Sequence, residues 1–254
     1  MSLSVKNLCV KADEQTLVDS VSFTLKRGEL VVLLGPNGAG KTSLLKACLD
    51  IIPKASGTIA YDGNPVSGLS PQSRARAIAY LPQIQPIIWP SRVKDIVALG
   101  RFAYGANPST LKGADLRAVD QALSDCELTH MAERNADNLS GGEQARLHFA
   151  RVLAAQTPFL FADEPVAALD PHHQFKVLDL IGKFTQSGKG ALVILHDINL
   201  AARYADRLIW MKDGRITADG SVRDTLTPAR LKEIYNVDAK INGTRVELLG
   251  PVGG

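Results

Sequence analysis

The sequence predicts an α/β fold built around a parallel β-sheet. Three short runs carry this prediction because they are wholly apolar, as expected of strands that a parallel sheet buries on both faces. Stretches of helical periodicity separate the runs, which is the order of strand–helix–strand units. The runs are Leu30–Leu34, Phe159–Ala162 and Ala191–Leu195.

Length and composition agree with one large domain or two small ones. The chain has 254 residues, of which 45% are hydrophobic and 22% charged, and this balance excludes a disordered or fibrous protein. A net charge of +3 gives no sign of the basic face that nucleic-acid binding needs, so we expect no nucleic-acid partner. Three scattered cysteines form no disulfide or zinc pattern and suit a reducing compartment. No apolar run approaches the roughly 20 residues of a transmembrane helix.

The remaining elements follow from local patterns. Alternation predicts strands at Leu3–Val5 and Val21–Leu25, and a helix is expected over Thr42–Leu49. Residues 91–156 show helical periodicity without a strand run, which predicts a helical insert. Late in the chain, turn residues predict two hairpins and a helix that starts at a proline. These are Leu208–Lys212 with Arg215–Ala218, a hairpin around Asn242-Gly243, and a helix from Pro228 to Tyr235.

A phosphate-binding loop is predicted where the first buried run ends. Gly35–Thr42, the P-loop, fits G-x-x-x-x-G-K-[ST] at every fixed position, between a predicted strand and a predicted helix. Its glycines allow backbone N–H groups to converge on phosphate oxygens, and the helix N-terminus adds positive potential. We expect Lys41 to reach the β- and γ-phosphates and the Thr42 hydroxyl to bind Mg²⁺. The expected nucleotide-binding residues of this segment are Asn37, Gly38, Gly40, Lys41, Thr42 and Ser43.

Two other segments carry matching chemistry. The run Phe159–Ala162 ends in Asp163 and Glu164, at the strand end that faces the ligand in parallel sheets. Asp163 suits the surroundings of Mg²⁺, and Glu164 suits activation of a water molecule. Leu139–Glu143, the signature segment, opens a predicted helix with a capping box between Ser140 and Glu143. Its two consecutive glycines cost helix stability and are explained if a phosphate approaches the bare helix N-terminus.

The order of these motifs resembles that of ATP-binding-cassette (ABC) ATPases, and the signature segment is the discriminating element. The matching elements are Gly35–Thr42, Tyr80–Gln83, Leu139–Glu143, Leu160–Glu164, Ala168–Asp170 and His196-Asp197. The resemblance implies a P-loop NTPase (RecA-like) parallel core with an antiparallel β subdomain and an inserted α-helical subdomain at about 87–158. It implies one domain over 1–254, in which 221–254 form a C-terminal extension.

The resemblance also implies roles for these residues. Two copies would pack head to tail, with each ATP between one P-loop and the partner copy's signature residues. Glu164 would be the catalytic base, Gln83 would sense Mg²⁺ and the water, and His196 would contact the γ-phosphate. The implied nucleotide-binding set further includes Ser140, Gly141, Gly142 and Asp170, and the implied metal-binding set is Thr42, Gln83 and Asp163.

Some positions depart from the family or lie outside its motifs. Ala167 stands where a serine or asparagine is usual, and Ala12 stands near the place of an aromatic residue that stacks on adenine. Three histidines outside the matched motifs are expected to be surface or core residues: His148, His172 and His173.

The likeness is strongest to importers of iron-siderophores, haem and vitamin B12, and it rests on Val97–Arg101 and His196–Asp206. It implies transmembrane permease partners, a substrate-binding protein in the wider system, and a peripheral location on the cytoplasmic face of the membrane. The apolar segment Ile87–Trp89 is predicted to dock the permease. A soluble ABC ATPase, such as an iron–sulfur assembly scaffold, is the alternative.

Overall fold

The computed structural model describes residues 2–83 and 90–252. They form two compact units, one of Met1–Gly68 with Gly190–Gly254 and one of Leu69–Lys189. The strands are β1 (Ser2–Ala12), β2 (Gln15–Lys26), β3 (Leu30–Leu34), β4 (Ser56–Tyr61), β5 (Asn64–Pro65), β6 (Ile78–Leu81), β7 (Phe159–Asp163), β8 (Gly190–Ile194), β9 (Arg207–Lys212), β10 (Arg215–Ser221), β11 (Val237–Asn242) and β12 (Arg245–Pro251). The α-helices are α1 (Lys41–Cys48), α2 (Pro71–Ala77), α3 (Val93–Ala98), α4 (Gly113–Asp125), α5 (Gly141–Ala154), α6 (Pro171–Gln186), α7 (Ile198–Tyr204), α8 (Val222–Thr225) and α9 (Pro228–Tyr235).

Parallel strands form the centre of the first unit. Strand β3 pairs in parallel with β8 on one side and with β9 on the other. Every residue of β3 and β8 is buried, which explains why both strands read as continuous apolar runs. Strand β10 returns antiparallel to β9 through Asp213-Gly214, and both turn residues have positive φ. This is the hairpin that the sequence predicted.

An antiparallel sheet and a second hairpin complete this unit. The sheet has the strand order β2-β1-β4-β5, and β2 alternates buried and exposed residues over much of its length. Strand β1 is longer than predicted because register shifts after Val5 and Leu8, with Asn7 at positive φ, interrupt its alternation. The C-terminal strands β11 and β12 pair across Gly243 as predicted, directly after α9.

The second unit combines a parallel strand pair with helices. Strands β6 and β7 pair in parallel. Helix α5 packs against both α3 and α4, and its side chains are buried along most of its length. Residues 90–158, as far as the structure describes the chain, contain helices and no strand, as the periodicity predicted.

The predicted fold class is therefore confirmed, since parallel strands, an antiparallel sheet and a helical segment are all present. Sequence patterns did not predict α2, β4 or β6. Helix α2 and strand β4 are short and only partly apolar, and β6 has only four residues. Among the described residues, no helix combines the length and hydropathy that a bilayer-spanning segment requires.

Candidate active site

The P-loop can exist only with glycine at two positions. Gly35 has φ +152° and Gly40 has φ +92°. A Cβ atom on Gly35 would lie 2.2 Å from the carbonyl oxygen of Met211 in β9. A Cβ atom on Gly40 would lie 2.2 Å from the carbonyl oxygen of Leu17 in β2. The backbone of β9 and β2 thus contacts the loop directly, and any residue larger than glycine is excluded at positions 35 and 40.

Two hydrogen bonds connect the P-loop to later parts of the chain. The amide of Gly214, in the β9–β10 turn, donates to the carbonyl oxygen of Ala39 at 3.2 Å. The amide of Gly35 donates to the hydroxyl oxygen of Tyr235 at 3.0 Å. Tyr235 is the last residue of α9, and burial raises its pKa to about 12, so the hydroxyl is neutral at physiological pH. No role of Tyr235 is predicted from the sequence, because no local pattern links residues 200 positions apart.

Lys41 places a buried cation inside the loop. Its Nζ atom donates to the carbonyl oxygens of Gly35 at 2.7 Å and Pro36 at 2.8 Å. Thr42 and Ser43 follow in the first turn of α1 and are partly exposed. Asn37 and Gly38 are exposed at the loop tip, and Gly38 has φ +78°. A cation and a helix N-terminus beside a glycine loop form an arrangement that binds phosphate groups.

His196 lies in the same unit and follows the strand next to β3. Leu33 of β3 pairs with Ile194 of β8, so Gly35 and His196 each stand two residues beyond paired positions at the carboxyl ends of adjacent strands. His196 is exposed. The next residue, Asp197, caps α7 by accepting from the Leu200 amide at 3.0 Å.

The second unit repeats this arrangement with Gln83 and Glu164. Leu81 of β6 pairs with Ala162 of β7, and each candidate residue again stands two positions further on. The Nε2 atom of Gln83 donates to Oε2 of Glu164 at 3.3 Å. Glu164 has φ +50°, a strained conformation for a residue with a side chain, and such strain concentrates at functional sites.

Asp163 ends β7 as a buried carboxylate. The hydroxyl of Tyr80, in the adjacent strand β6, donates to its Oδ2 atom at 3.4 Å. Burial, reinforced by the negative charge of Asp163, raises the pKa of Tyr80 to about 12. Tyr80 is therefore a neutral donor that helps to hold a charged carboxylate in a buried position.

The signature segment forms the predicted capping box at the start of α5. The backbone amide and the hydroxyl of Ser140 each donate to Oε2 of Glu143 at 2.8 Å, and the Glu143 amide donates back to the hydroxyl at 3.4 Å. These bonds, with the amide contribution largest, hold the pKa of Glu143 below its usual value. The helix therefore begins at a defined residue, with Ser140 exposed.

The two signature glycines have different surroundings. Gly141 is exposed, and a Cβ atom there would meet nothing within 4 Å. Gly142 is buried, and its Cβ atom would lie 1.9 Å from Cδ2 of His173. The absence of a side chain at Gly142 thus has a local packing reason, which the sequence argument from phosphate approach did not include.

The predicted residues are divided between the two units. The first unit holds the P-loop and His196, and the second holds Gln83, Asp163, Glu164, the signature segment and the exposed Asp170. Ala167 is exposed, three residues before Asp170. Ala12 is exposed and pairs with Gln15 at the tip of the β1–β2 hairpin. The predicted docking residues Ile87–Trp89 lie outside the described residues.

Comparisons with known proteins agree with this arrangement. A family model described as ABC transporter matches residues 18–167. The hemin import ATP-binding protein HmuV of Nocardia farcinica is 40% identical over 237 residues, which cover 91% of this chain and 82% of that protein. Among solved structures, cbiO1 from Clostridium perfringens, part of the ABC transporter complex cbiONQ, has a TM-score of 0.78 at 26% identity, covering 92% of this chain and 94% of that chain. The ATP-binding cassette MJ1267 of an ABC transporter, in its ADP conformation, shares the fold with a TM-score of 0.83 at 22% identity. The match covers 92% of this chain and 98% of that chain.

Tyr235→Phe is expected to weaken the P-loop. The variant leaves the buried Gly35 amide without its hydroxyl acceptor, and an unsatisfied buried donor costs about 1–3 kcal/mol. We expect the free energy of unfolding to fall by that amount in urea titrations and ATP binding to weaken. Tyr104→Phe is the matched control, since it also removes a hydroxyl, which donates to Ala155 at 3.0 Å in the other unit. Unchanged stability and ATP affinity in Tyr235→Phe would show that the contact is dispensable.

Discrimination between ATP and GTP is expected to be weak. Backbone of β2 touches the P-loop at Gly40, yet the hairpin tip from Lys11 to Gln15 carries no aromatic side chain. Base stacking, worth roughly 1–3 kcal/mol in nucleic-acid binders, is therefore absent at this tip. We predict GTP hydrolysis within about tenfold of ATP hydrolysis, or ~1.4 kcal/mol, and tighter ATP binding by Ala12→Tyr. Competition titrations that show strong rejection of GTP would contradict this expectation.

Proposed function

The chain belongs to the ABC transporter family and is an ATPase, and we propose that it is the subunit that powers import of haem or a related iron chelate. The 40% identity to a hemin import ATP-binding protein, over 91% of this chain, is the observation that supports this substrate class most directly. An iron-siderophore or a cobalamin-type compound would be the nearest variants of this substrate. The relatives' names do not favour a soluble iron–sulfur scaffold.

Hydrolysis is proposed to use Glu164 as the base. Its carboxylate accepts a proton from water while the water oxygen attacks the γ-phosphorus and ADP leaves. The hydrogen bond from Gln83 Nε2 orients this carboxylate and leaves the amide Oε1 atom of Gln83 for the water or a metal. Glu164 follows β7 directly and has positive φ, and backbone strain of this kind concentrates at functional sites, which supports its role.

The donor atoms in the proposed metal set are the Thr42 hydroxyl, the Asp163 carboxylate and the Gln83 amide oxygen. Hard oxygen donors of this kind are the ligands that Mg²⁺ prefers, so the residues present fit the ion. When bound, Mg²⁺ neutralises charge on the β- and γ-phosphates. Tyr80 donates a hydrogen bond to Asp163, which helps to hold this carboxylate in place for the ion.

The P-loop is proposed to hold the triphosphate. Lys41 would exchange its bonds to the Gly35 and Pro36 carbonyls for bonds to the β- and γ-phosphates. Exposed His196, at the end of the adjacent strand, would contact the γ-phosphate. Backbone amides and side chains of the loop and the first helical turn complete the set: Asn37, Gly38, Gly40, Thr42 and Ser43.

A second copy of the chain is proposed to complete each site in a head-to-tail dimer. The signature helix begins at exposed Ser140 and Gly141, and open space around Gly141 permits a phosphate of the partner copy's ATP to approach the helix N-terminus. Gly142 and Asp170 would stand beside that contact. Ala167 offers no hydroxyl or amide where the family usually has one, so we infer fewer polar contacts from this loop across the dimer.

Transmembrane permease subunits are the proposed partners, with a substrate-binding protein in the wider system and a peripheral position on the cytoplasmic face. A groove of about 550 Å³ in the second unit, lined by α2, β6, α5 and residues 99–103, supports this assignment. Phe102 is 76% exposed at this groove, and Arg151 lines it with a pKa that burial lowers. An apolar permease segment that carries one carboxylate would cover Phe102 and pair with Arg151.

Glu164→Gln should retain ATP binding and lose turnover. Removal of a general base typically costs 10²- to 10⁴-fold, so we expect kcat to fall by at least ~10²-fold. Glu133→Gln is the matched control, because Glu133 is 67% exposed and pairs only on the surface with Arg92 and Lys94. Steady-state phosphate release by the reconstituted transporter measures both variants. Near-normal release by Glu164→Gln would refute the assignment of the base.

Phe102→Ser should weaken assembly with the permease. An exposed side chain costs little stability when it is shortened, whereas buried interface aromatics often contribute about 2 kcal/mol or more, which is roughly 30-fold in affinity. Copurification with a tagged permease, alongside ATP binding by the free chain, separates the two effects. Leu248→Ser is the control, since Leu248 is 57% exposed on the C-terminal hairpin. Equal permease recovery for both variants would place the interface elsewhere.

A further inference from the structure

The ring of His173 occupies the space that a side chain on Gly142 would need. A Cβ atom on Gly142 would lie 1.9 Å from Cδ2 and 2.3 Å from Nε2 of His173. These separations are far below van der Waals contact, so the ring lies directly against the bare backbone of the first turn of α5. His173 is only partly exposed, although it belongs to none of the motifs that define the family resemblance.

Asp170 holds that ring in place. Its Oδ1 atom accepts from the His173 amide at 3.0 Å, and its Oδ2 atom lies 2.9 Å from His173 Nδ1. The amide bond, followed by the ring contact, holds the pKa of Asp170 below its usual value. An ionised carboxylate only accepts hydrogen bonds, so Nδ1 carries the proton and donates. The ring cannot swing away from Gly142 without losing this charge-assisted bond.

One side chain thereby joins two segments that are distant in sequence. The Ala-Leu-Asp loop (Ala168–Asp170) ends at Asp170, which is also the N-cap of α6. The signature segment opens α5. Both segments belong to the surface that the proposed function presents to the ATP of a second copy, and a rigid connection between them would fix their relative placement at that nucleotide.

We propose that His173 is a positioning residue of the ATP site. Its ring, packed on Gly142 and hydrogen-bonded to Asp170, holds the Ala-Leu-Asp loop and the start of the signature helix as one body, so that both reach the partner copy's ATP together. This inference rests on the proposed function, because it assigns a role within the same composite site. His173 contacts neither the substrate nor the reacting atoms in this account, and it acts through Asp170 and Gly142.

The first test separates the hydrogen bond from the volume of the ring. His173→Asn keeps a donor that can reach Asp170 but fills less space, whereas His173→Leu fills space without a donor. We expect kcat for ATP to fall roughly tenfold in His173→Leu and His173→Ala, since misplacement by about an ångström can cost up to ~10²-fold. ATP affinity of the isolated chain should be unchanged, because the proposed phosphate-binding residues are those of the P-loop and His173 is not one of them. For His173→Asn, we expect kcat to stay within about threefold of the wild-type kcat, because the donor to Asp170 is kept.

His172→Ala is the matched control, because His172 is exposed and meets His173 only edge to face at 5.3 Å between ring centroids. It should hydrolyse ATP like the wild type. The ring merely fills space, and the proposal is wrong, if kcat of His173→Leu equals or exceeds kcat of His173→Asn. The same holds if all three His173 variants retain wild-type kcat and differ only in thermal stability.

A double-mutant cycle tests the contact itself. Gly142→Ala inserts a methyl group against the ring and should lower kcat, whereas His173→Ala makes room for that methyl group. We therefore expect Gly142→Ala/His173→Ala to match His173→Ala alone, while losses that multiply would mean that the two positions act independently. If Gly142→Ala does not fold, the difference in kcat between His173→Asn and His173→Leu still decides whether the hydrogen bond to Asp170 matters. If the wild-type transporter fails to hydrolyse ATP, the proposed function is overturned as well. If the wild type turns over normally and His173→Asn and His173→Leu have the same kcat, only this inference is overturned.

Discussion

Contact of backbone with backbone at Gly35 and Gly40 is the constraint on which the nucleotide site depends. The carbonyl oxygens of Met211 and Leu17 approach these glycines so closely that no Cβ atom fits. Strands from two different sheets, β9 and β2, therefore fix the path of the loop. Its amides and the Lys41 ammonium are held in place before any ligand binds, and such preorganisation reduces the ordering cost of binding. Tyr235, at the end of α9, adds a third support through its hydrogen bond from the Gly35 amide.

The register of parallel strands explains where the remaining chemistry lies. Paired positions Leu33 and Ile194 lead to Gly35 and His196, and paired positions Leu81 and Ala162 lead to Gln83 and Glu164. In both units the candidate site residue stands two positions beyond a paired position, where the strand no longer needs an apolar side chain. The chemistry of each unit is thus placed by main-chain pairing, and side-chain contacts such as Gln83 to Glu164 complete the alignment.

Sequence patterns predicted the parts of this arrangement that are local. The P-loop, the Ser140–Glu143 capping box, the buried strands β3, β7 and β8 and both late hairpins were all visible as residue spacing. Contacts between distant residues were not visible, and these include Tyr235 with Gly35 and His173 with Gly142. Gly142 shows this difference. Its place in the first turn of a predicted helix is visible in the sequence, whereas the packing that requires a glycine there comes from His173, 31 positions later. Strand β6 was not predicted because its run of four apolar or aromatic residues is too short for a periodic pattern.

In the proposed head-to-tail dimer, each ATP is hydrolysed between the P-loop of one copy and the signature helix of another. Gly141→Asp would place a carboxylate where this dimer needs the γ-phosphate of the partner copy. We expect the variant to fold, because the space around Gly141 is open and acidic residues are favoured near a helix N-terminus. Lys41→Ala disables the other half of the site, so each variant alone should be inactive. The most direct measurement is ATP hydrolysis by a mixture of the two variants in which mixed dimers have been demonstrated. The account predicts that activity partly returns, because one of the two sites in a mixed dimer has both halves intact, and a mixture that stays inactive would contradict it.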